Sequence, residues 1–215
     1  MAIQKLFPAD LFGQGTLNSI ELGGGGETIT VVEPTNQYSY FFQENTVQAD
    51  WNSVVTAASS PNVDTVAALL ASFRTGRGAN TYINARIMGE FNLSGIPGTI
   101  LSITATLTTV GSIFNAIDVN LYDAGTTTLT GAGGEYSYYR DEGEIKFSDT
   151  TKSLFLNSNY DFTLNSSALT VANTKPSSFV IAAINSFDFN STAPTPIDVY
   201  YGVYIGAITL SVTHT

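Results

Sequence analysis

From Asn80 to the C-terminus the apolar residues of this chain recur at every second position, and few folds satisfy that period. Ile83, Ala85 and Ile87 alternate with Asn84, Arg86 and Met88, and Leu101, Ile103, Ala105 and Leu107 alternate with Ser102, Thr104, Thr106 and Thr108. The same pattern returns at 117–121, 160–164 and 208–212. Successive side chains of an extended strand point to opposite faces, so each run reads as a half-buried strand with a Thr-rich outer face. Residues 179–184 are apolar without alternation, which suits a strand covered on both faces, and 199–205, rich in Tyr and Val, is a further strand. Turn-forming clusters separate the runs, among them Gly95 to Gly98, Asp123 to Gly125 and Pro194 to Pro196. Short alternating strands between such turns predict a mainly β fold, an antiparallel β-sandwich or jelly roll, over residues 80–215.

Ahead of Asn80 the pattern differs. Strand-like runs at 28–32 and 38–42 flank turn chemistry at Glu33, Pro34 and Asn36. Val47, Trp51, Val54, Val55 and Ala58 then fall on one face of a helix, with Thr46 placed to cap it. A second helix is predicted over 62–74 from the stripe Val63, Val66, Ala67 and Leu70, with Pro61 in its first turn and Gly76 as its stop. Residues 28–79 thus read as a β-hairpin plus a small helical insertion. Residues 1–27 read as an extended N-terminal arm: Phe7, Leu11 and Phe12 are apolar without a period, and the glycine run 23–26 follows. Such an arm is expected to dock on a neighbouring chain; a strand within its own domain is the alternative.

The chain carries a net charge of −10, and only 12% of its residues are charged. An acidic chain is repelled by phosphate backbones and by anionic lipid, so nucleic acid and membrane are not the expected partners. No Lys or Arg lies between Arg86 and Arg140 or after Lys175, and uncharged strands are poorly protected against edge-to-edge pairing unless neighbours cover them. The absence of cysteine removes disulfide staples, thiolate metal sites and thiol catalysis. The first residues lack the apolar core of a signal peptide, so synthesis in the cytoplasm without a leader is expected.

Little in the sequence points to catalysis. The one histidine, His214, is next to the last residue, where chains are usually mobile, and a triad needs a held imidazole. No phosphate-binding loop or dinucleotide fingerprint is present, and no cofactor is expected. Asp141, Glu142 and Glu144 beside Arg140 read as an exposed acidic turn, with a glycosidase acid pair or a calcium loop as lesser alternatives. The aromatic residues are better candidates. Tyr136 and Tyr138 on one strand-like run, and Tyr200 and Tyr204 on another, would each share a face at period two. Such rings stack on sugars or anchor protein interfaces, although cross-strand packing within the sheet is the favoured reading of them. Trp51 reads as core of the helical part.

A cysteine-free chain with an apolar arm, a glycine hinge and a Thr/Ser/Asn/Gly-rich β domain resembles, in general character, virion structural proteins of tailed bacteriophages. The resemblance is one of style and no motif carries it. It implies a non-enzymatic role in a virion, foremost as a capsid decoration protein that binds copies of itself, as a trimer or other symmetric oligomer, and a larger protein shell. A tail or fibre component, or a receptor-binding β-sandwich that recognises carbohydrate, is the alternative.

Overall fold

The computed structural model describes residues 18–21, 26–44, 50–60, 62–64, 68–75, 81–111, 115–155, 157–195 and 198–215. Phe7, Leu11 and Phe12 lie outside these residues. The described strands are mainly antiparallel and form one continuous sheet folded on itself.

Two layers enclose the main core. The first contains β3 (Asn36–Glu44), β6 (Thr81–Phe91), β11 (Phe179–Asn185) and β8 (Ile117–Asp123), extended by the short strands β4 (Asn62–Asp64) and β9 (Lys152–Leu154). The second contains β10 (Asn159–Thr163), β7 (Ile100–Gly111), β12 (Tyr200–His214), β2 (Thr28–Val32) and β1 (Asn18–Glu21). The two layers meet through β5 (Ala68–Thr75), which pairs with β6 on one side and with the first part of β12 on the other. The core between them takes the inward set of each alternation. Ile103, Ala105 and Leu107 of β7 and Ile208, Leu210 and Val212 of β12 face Ile87, Phe91, Val119, Leu121, Ile181 and Ala183 across the sandwich. The expected β-sandwich class therefore holds, and the alternating runs from Asn80 onward become strands at the expected places.

Phe179–Asn185 is buried along its whole length, as its continuous apolar run predicts. A third layer is the cause. The segment between β8 and β9, with the 3-10 helix Gly133–Ser137 and α2 (Tyr138–Asp141), joins α1 (Trp51–Val55) and α4 (Ser186–Phe189) over the far side of β6, β11 and β8. A second apolar cluster fills this space, including Tyr40, Met88, Tyr122, Tyr136, Tyr139, Val180 and Ile184. The remaining helix, α3 (Ser166–Ala172), is capped by Asn165 and seats Ala168 and Ala172 in the main core.

Three expectations are corrected here. The second predicted helix, 62–74, is instead the strands β4 and β5. The apolar stripe of a short segment fits either period, and pairing on both sides of β5, with Leu70 and Ala71 fully buried, overrides local helix preference. Of the first predicted helix, Thr46 and Val47 lie outside the described residues; the described part is the short helix Trp51–Val55, capped by the Asp50 side chain and with Trp51, Val54 and Val55 inward, and Ala58 lies beyond its end. The charge-free strands β7, β11 and β12 are not exposed edges, since each is paired on both sides. Asn18–Glu21, in the segment read as an arm, pairs with β2.

Candidate functional site: a buried charge network and an uncharged sheet face

Alternation places Asn84 and Arg86 on the side of β6 that points away from the main core, and there the third layer buries them completely. The Arg86 guanidinium donates from Nε to Asp188 Oδ2 at 2.5 Å, from Nη2 to Asp188 Oδ1 at 2.9 Å, and from Nη1 to the Tyr136 carbonyl at 2.6 Å. Nη2 also donates to the Val55 carbonyl. The guanidinium lies 3.7 Å from the ring centroid of Tyr136 and 4.7 Å from that of Tyr139, close enough for both rings to stabilise its charge. Asp188 is equally buried and accepts further bonds from Asn84 Nδ2, the Tyr139 hydroxyl and Arg140 Nη2. Burial pushes the Asp188 carboxyl upward, yet the Arg86 charge and the hydrogen bonds from Arg86, Asn84 and Tyr139 hold it below its ordinary value. Burial likewise opposes the Arg86 charge, and Asp188 with the two tyrosines more than restores it. Desolvation pushes the Tyr136 hydroxyl up to about 12.

The network continues outward. Ser72 donates to Asn84 and Asn185, and Asn185 also caps α4 by accepting from the Asp188 amide. The Tyr40 hydroxyl donates to Glu135, whose carboxylate also accepts from the amides of Thr130 and Gly131. Both Asp188 oxygens are taken up by donors from inside the protein. Such a carboxylate fixes the third layer on the sheet.

The predicted tyrosine pairs fare differently. Tyr136 and Tyr138 do not share the face of a strand, because Gly133–Asp141 is helical; Tyr136 and Tyr139, three residues apart, turn inward together. Tyr136 is fully buried and has no face to offer a sugar. Tyr200 and Tyr204 do lie on one strand, β12, opposite Phe73 and Leu69 of β5. The Tyr200 ring is tilted against Phe73 at a centroid distance of 4.6 Å. Asp141, Glu142 and Glu144 form an exposed turn in which Arg140 pairs with Glu144 and Ser137 donates to Asp141. No group of His, Cys, Asp and Glu among the described residues is arranged to hold a metal ion. Asn84, Arg86 and Asp188 were not legible as a cluster, since alternation marked the first two only as polar and outward.

The outer side of the second layer is the other distinctive surface. Strand register sets Asp161, Thr106 and Thr209 in one cross-strand row, Thr163, Thr104, Ser211 and Val31 in the next, and Ser102, Thr213 and Ile29 in a third. Asp161 is the one charged side chain in these rows, and it accepts from Thr106 Oγ1 at 2.7 Å. No helix among the described residues is long and apolar enough to cross a membrane.

No protein-family model matches this chain, and no characterised protein matches it in sequence. Among solved structures, it is similar to a chain of the cryo-EM structure of Mud crab tombus-like virus, with 12% identity over 99% of this chain and 90% of that one, at a TM-score of 0.29. A superposition this loose does not establish a shared fold. The structure itself defines a mainly antiparallel β-sandwich with one side covered by short helices.

Proposed function

We propose that the chain is a non-enzymatic virion structural protein of the capsid-decoration kind, which self-associates and binds a larger protein shell. The observation that carries this reading is the broad hydroxyl-rich face of β10, β7, β12 and β2, almost free of charge on a chain of net charge −10. Exposed surfaces of soluble proteins normally intersperse charges of both signs. A neutral face is what contact with other protein surfaces favours, because no ion has to be desolvated there. The fully buried charge pair, Arg86 with Asp188, is committed to the interior. Each copy would bury modest area against several neighbours, and multivalency would add these contacts together.

Purified particles from cells producing the protein test the reading. The chain is expected to co-sediment with shells and to raise their resistance to heat or dilution. Absence from particles, combined with tight binding of a free oligosaccharide by a monomer, would replace it with the carbohydrate reading. The Tyr200 and Phe73 ring pair is the feature that favours that second reading, and a glycan array with Tyr200→Ala separates the two.

A further inference from the structure

We propose that two copies of this chain pack face to face through the outer side of β7, β12 and β2, with Leu101 and Val110 as the apolar anchors at either end. This rests on the self-association part of the function proposed above. Three features of the sheet carry it.

The first is where the register slips. Between β7 and β12, Thr213 pairs with Ser102 and His214 with Ile100, so Leu101 is an extra residue on β7. At the other end Tyr204 pairs with Gly111, Ile205 with Thr109 and Ala207 with Thr108, so a slip at Val110 on β7 is offset by one at Gly206 on β12, and Val110 lies over Gly206, where an added Cβ would come within 2.4 Å of its Cγ1. Bulges re-aim side chains, and here both β7 residues are large, apolar and open to solvent, Leu101 at 41% and Val110 at 59%. Between them β7 presents Ser102, Thr104, Thr106 and Thr108 outward.

The second is the protection of the edges. The outermost strands β1, β4, β9 and β10 are short, and charged residues sit on three of them: Asp64 on β4, Lys152 on β9 and Asp161 on β10. Asp161 is the middle residue of β10, so a twofold antiparallel pairing of two β10 edges centred there would oppose Asp161 to Asp161. Edge-to-edge growth of the sheet is thereby disfavoured, and the broad face is left as the available surface.

The third is charge and size. Copies of a chain at −10 repel one another, and the repulsion is least where a face carries little charge. Strands about 4.8 Å apart, rising about 3.3 Å per residue, give the outer side of β7, β12 and β2 a flat area of roughly 400 Å². Two such faces total roughly 800 Å², which suits a weak, reversible contact rather than a permanent one. Sheets stack in this way about 10 Å apart with hydroxyl and methyl groups interdigitating, and a twofold axis makes the contact self-complementary.

Sedimentation equilibrium of the full chain over the micromolar range tests the assignment, with Thr209→Glu and Val110→Asp as face variants and Ile145→Asp as an exposed apolar control outside the face. Melting curves confirm that each variant is folded. The expected result is a self-associating wild type, a dissociation constant raised roughly tenfold or more by each face variant through like-charge opposition, and no change for Ile145→Asp. Because the chain has no cysteine, single cysteines at Thr106, Thr209 and Thr213 supply a second measurement that does not depend on a destabilising charge. At least one should cross-link to a dimer with a bismaleimide, and Ile145→Cys should not. Self-association that survives both face variants, with no cross-link from the panel, overturns this face but leaves self-association standing. A wild type that is monomeric throughout overturns both.

Discussion

Asp188 grips Arg86 with both carboxylate oxygens across 102 residues of sequence, and both side chains are completely buried. The pair is the point at which the third layer is fixed to the sheet. Arg86 belongs to β6, whereas its acceptors come from α1, from the 3-10 helix and from α4. One guanidinium therefore sets the position of three covering elements at once. Arginine suits this task because its planar fork offers donors in fixed directions and stays charged when buried.

Removing one partner should be costly. Asp188→Ala leaves a buried guanidinium without its counter-charge, and about 3–5 kcal/mol of stability should be lost. Urea unfolding followed by far-UV circular dichroism measures this directly. The double variant Arg86→Met with Asp188→Leu should recover much of the loss, since it leaves no unpaired ion. A double variant as unstable as Asp188→Ala would mean that hydrogen bonds to the Tyr136 and Val55 carbonyls, not the ion pair, dominate.

Acid should act on two carboxylates in opposite ways. Asp188 is held below its ordinary 3.8, so its contribution is present above that value and is lost as the pH falls through the lower folded-state value. The stability gap between wild type and Asp188→Asn should thus be widest near neutrality and close at strongly acid pH. Asp123 is raised by burial and by Glu142, although the Gly125 amide opposes the shift. Its ionised form is a burden on the fold at neutral pH, relieved on acidification. Asp123→Asn, which can still accept from Gly125, should raise the melting temperature at pH 7 and have less effect at pH 4.

At Gly202 the constraint is space. A Cβ there would lie 2.6 Å from the Ala71 Cβ and 2.7 Å from the Leu70 carbonyl oxygen, where β12 runs against β5. Gly202→Ala should cost about 1–3 kcal/mol through forced backbone shifts. Gly134, whose added Cβ meets nothing within 4 Å, is the matched control and should tolerate alanine with little change. Equal melting temperatures for the two variants would show that the β5 and β12 backbones part easily.

What the sequence made legible was the part that a single strand records in itself. The runs of β6, β7, β8 and β12 show which side chains face a core, because burial on one side writes a period of two. The double burial of β11 was legible for the same reason. The third layer was not. Alternation marks Asn84 and Arg86 as pointing away from the main core, and it is silent on whether water or another layer lies there. Their partners Tyr136, Tyr139 and Asp188 come from distant turns with no period of their own. In β5 the stretch from Ala68 to Leu70 is short and apolar, and only its two neighbouring strands decide between helix and strand. The lack of charge on β7 and β12 was visible, but that both strands are paired on each flank is a property of topology.

The end of the chain reverses the expectation of a mobile histidine. His214 is only 2% exposed, pairs with both Thr28 of β2 and Ile100 of β7, and its Nε2 lies 2.9 Å from Thr30 Oγ1. Thr215 follows it in place: its amide donates to the Thr99 carbonyl, and its Oγ1 accepts from the Thr99 amide at 3.0 Å. The last residues thus close β12 between two strands and seal the end of the sandwich beside Ile100. Replacing the imidazole by Ala removes a buried partner of Thr30 and leaves a void, so His214→Ala should destabilise by about 1–3 kcal/mol. Deleting residues 214 and 215 should cost more, because backbone pairing to β2 and β7 goes with the side chains. Thermal unfolding of both variants checks the order, and amide exchange at Thr28 and Thr30 reports the local effect. Unchanged exchange in the deletion variant would mean that β2 is held by β1 and the rest of β12 without the terminal residues.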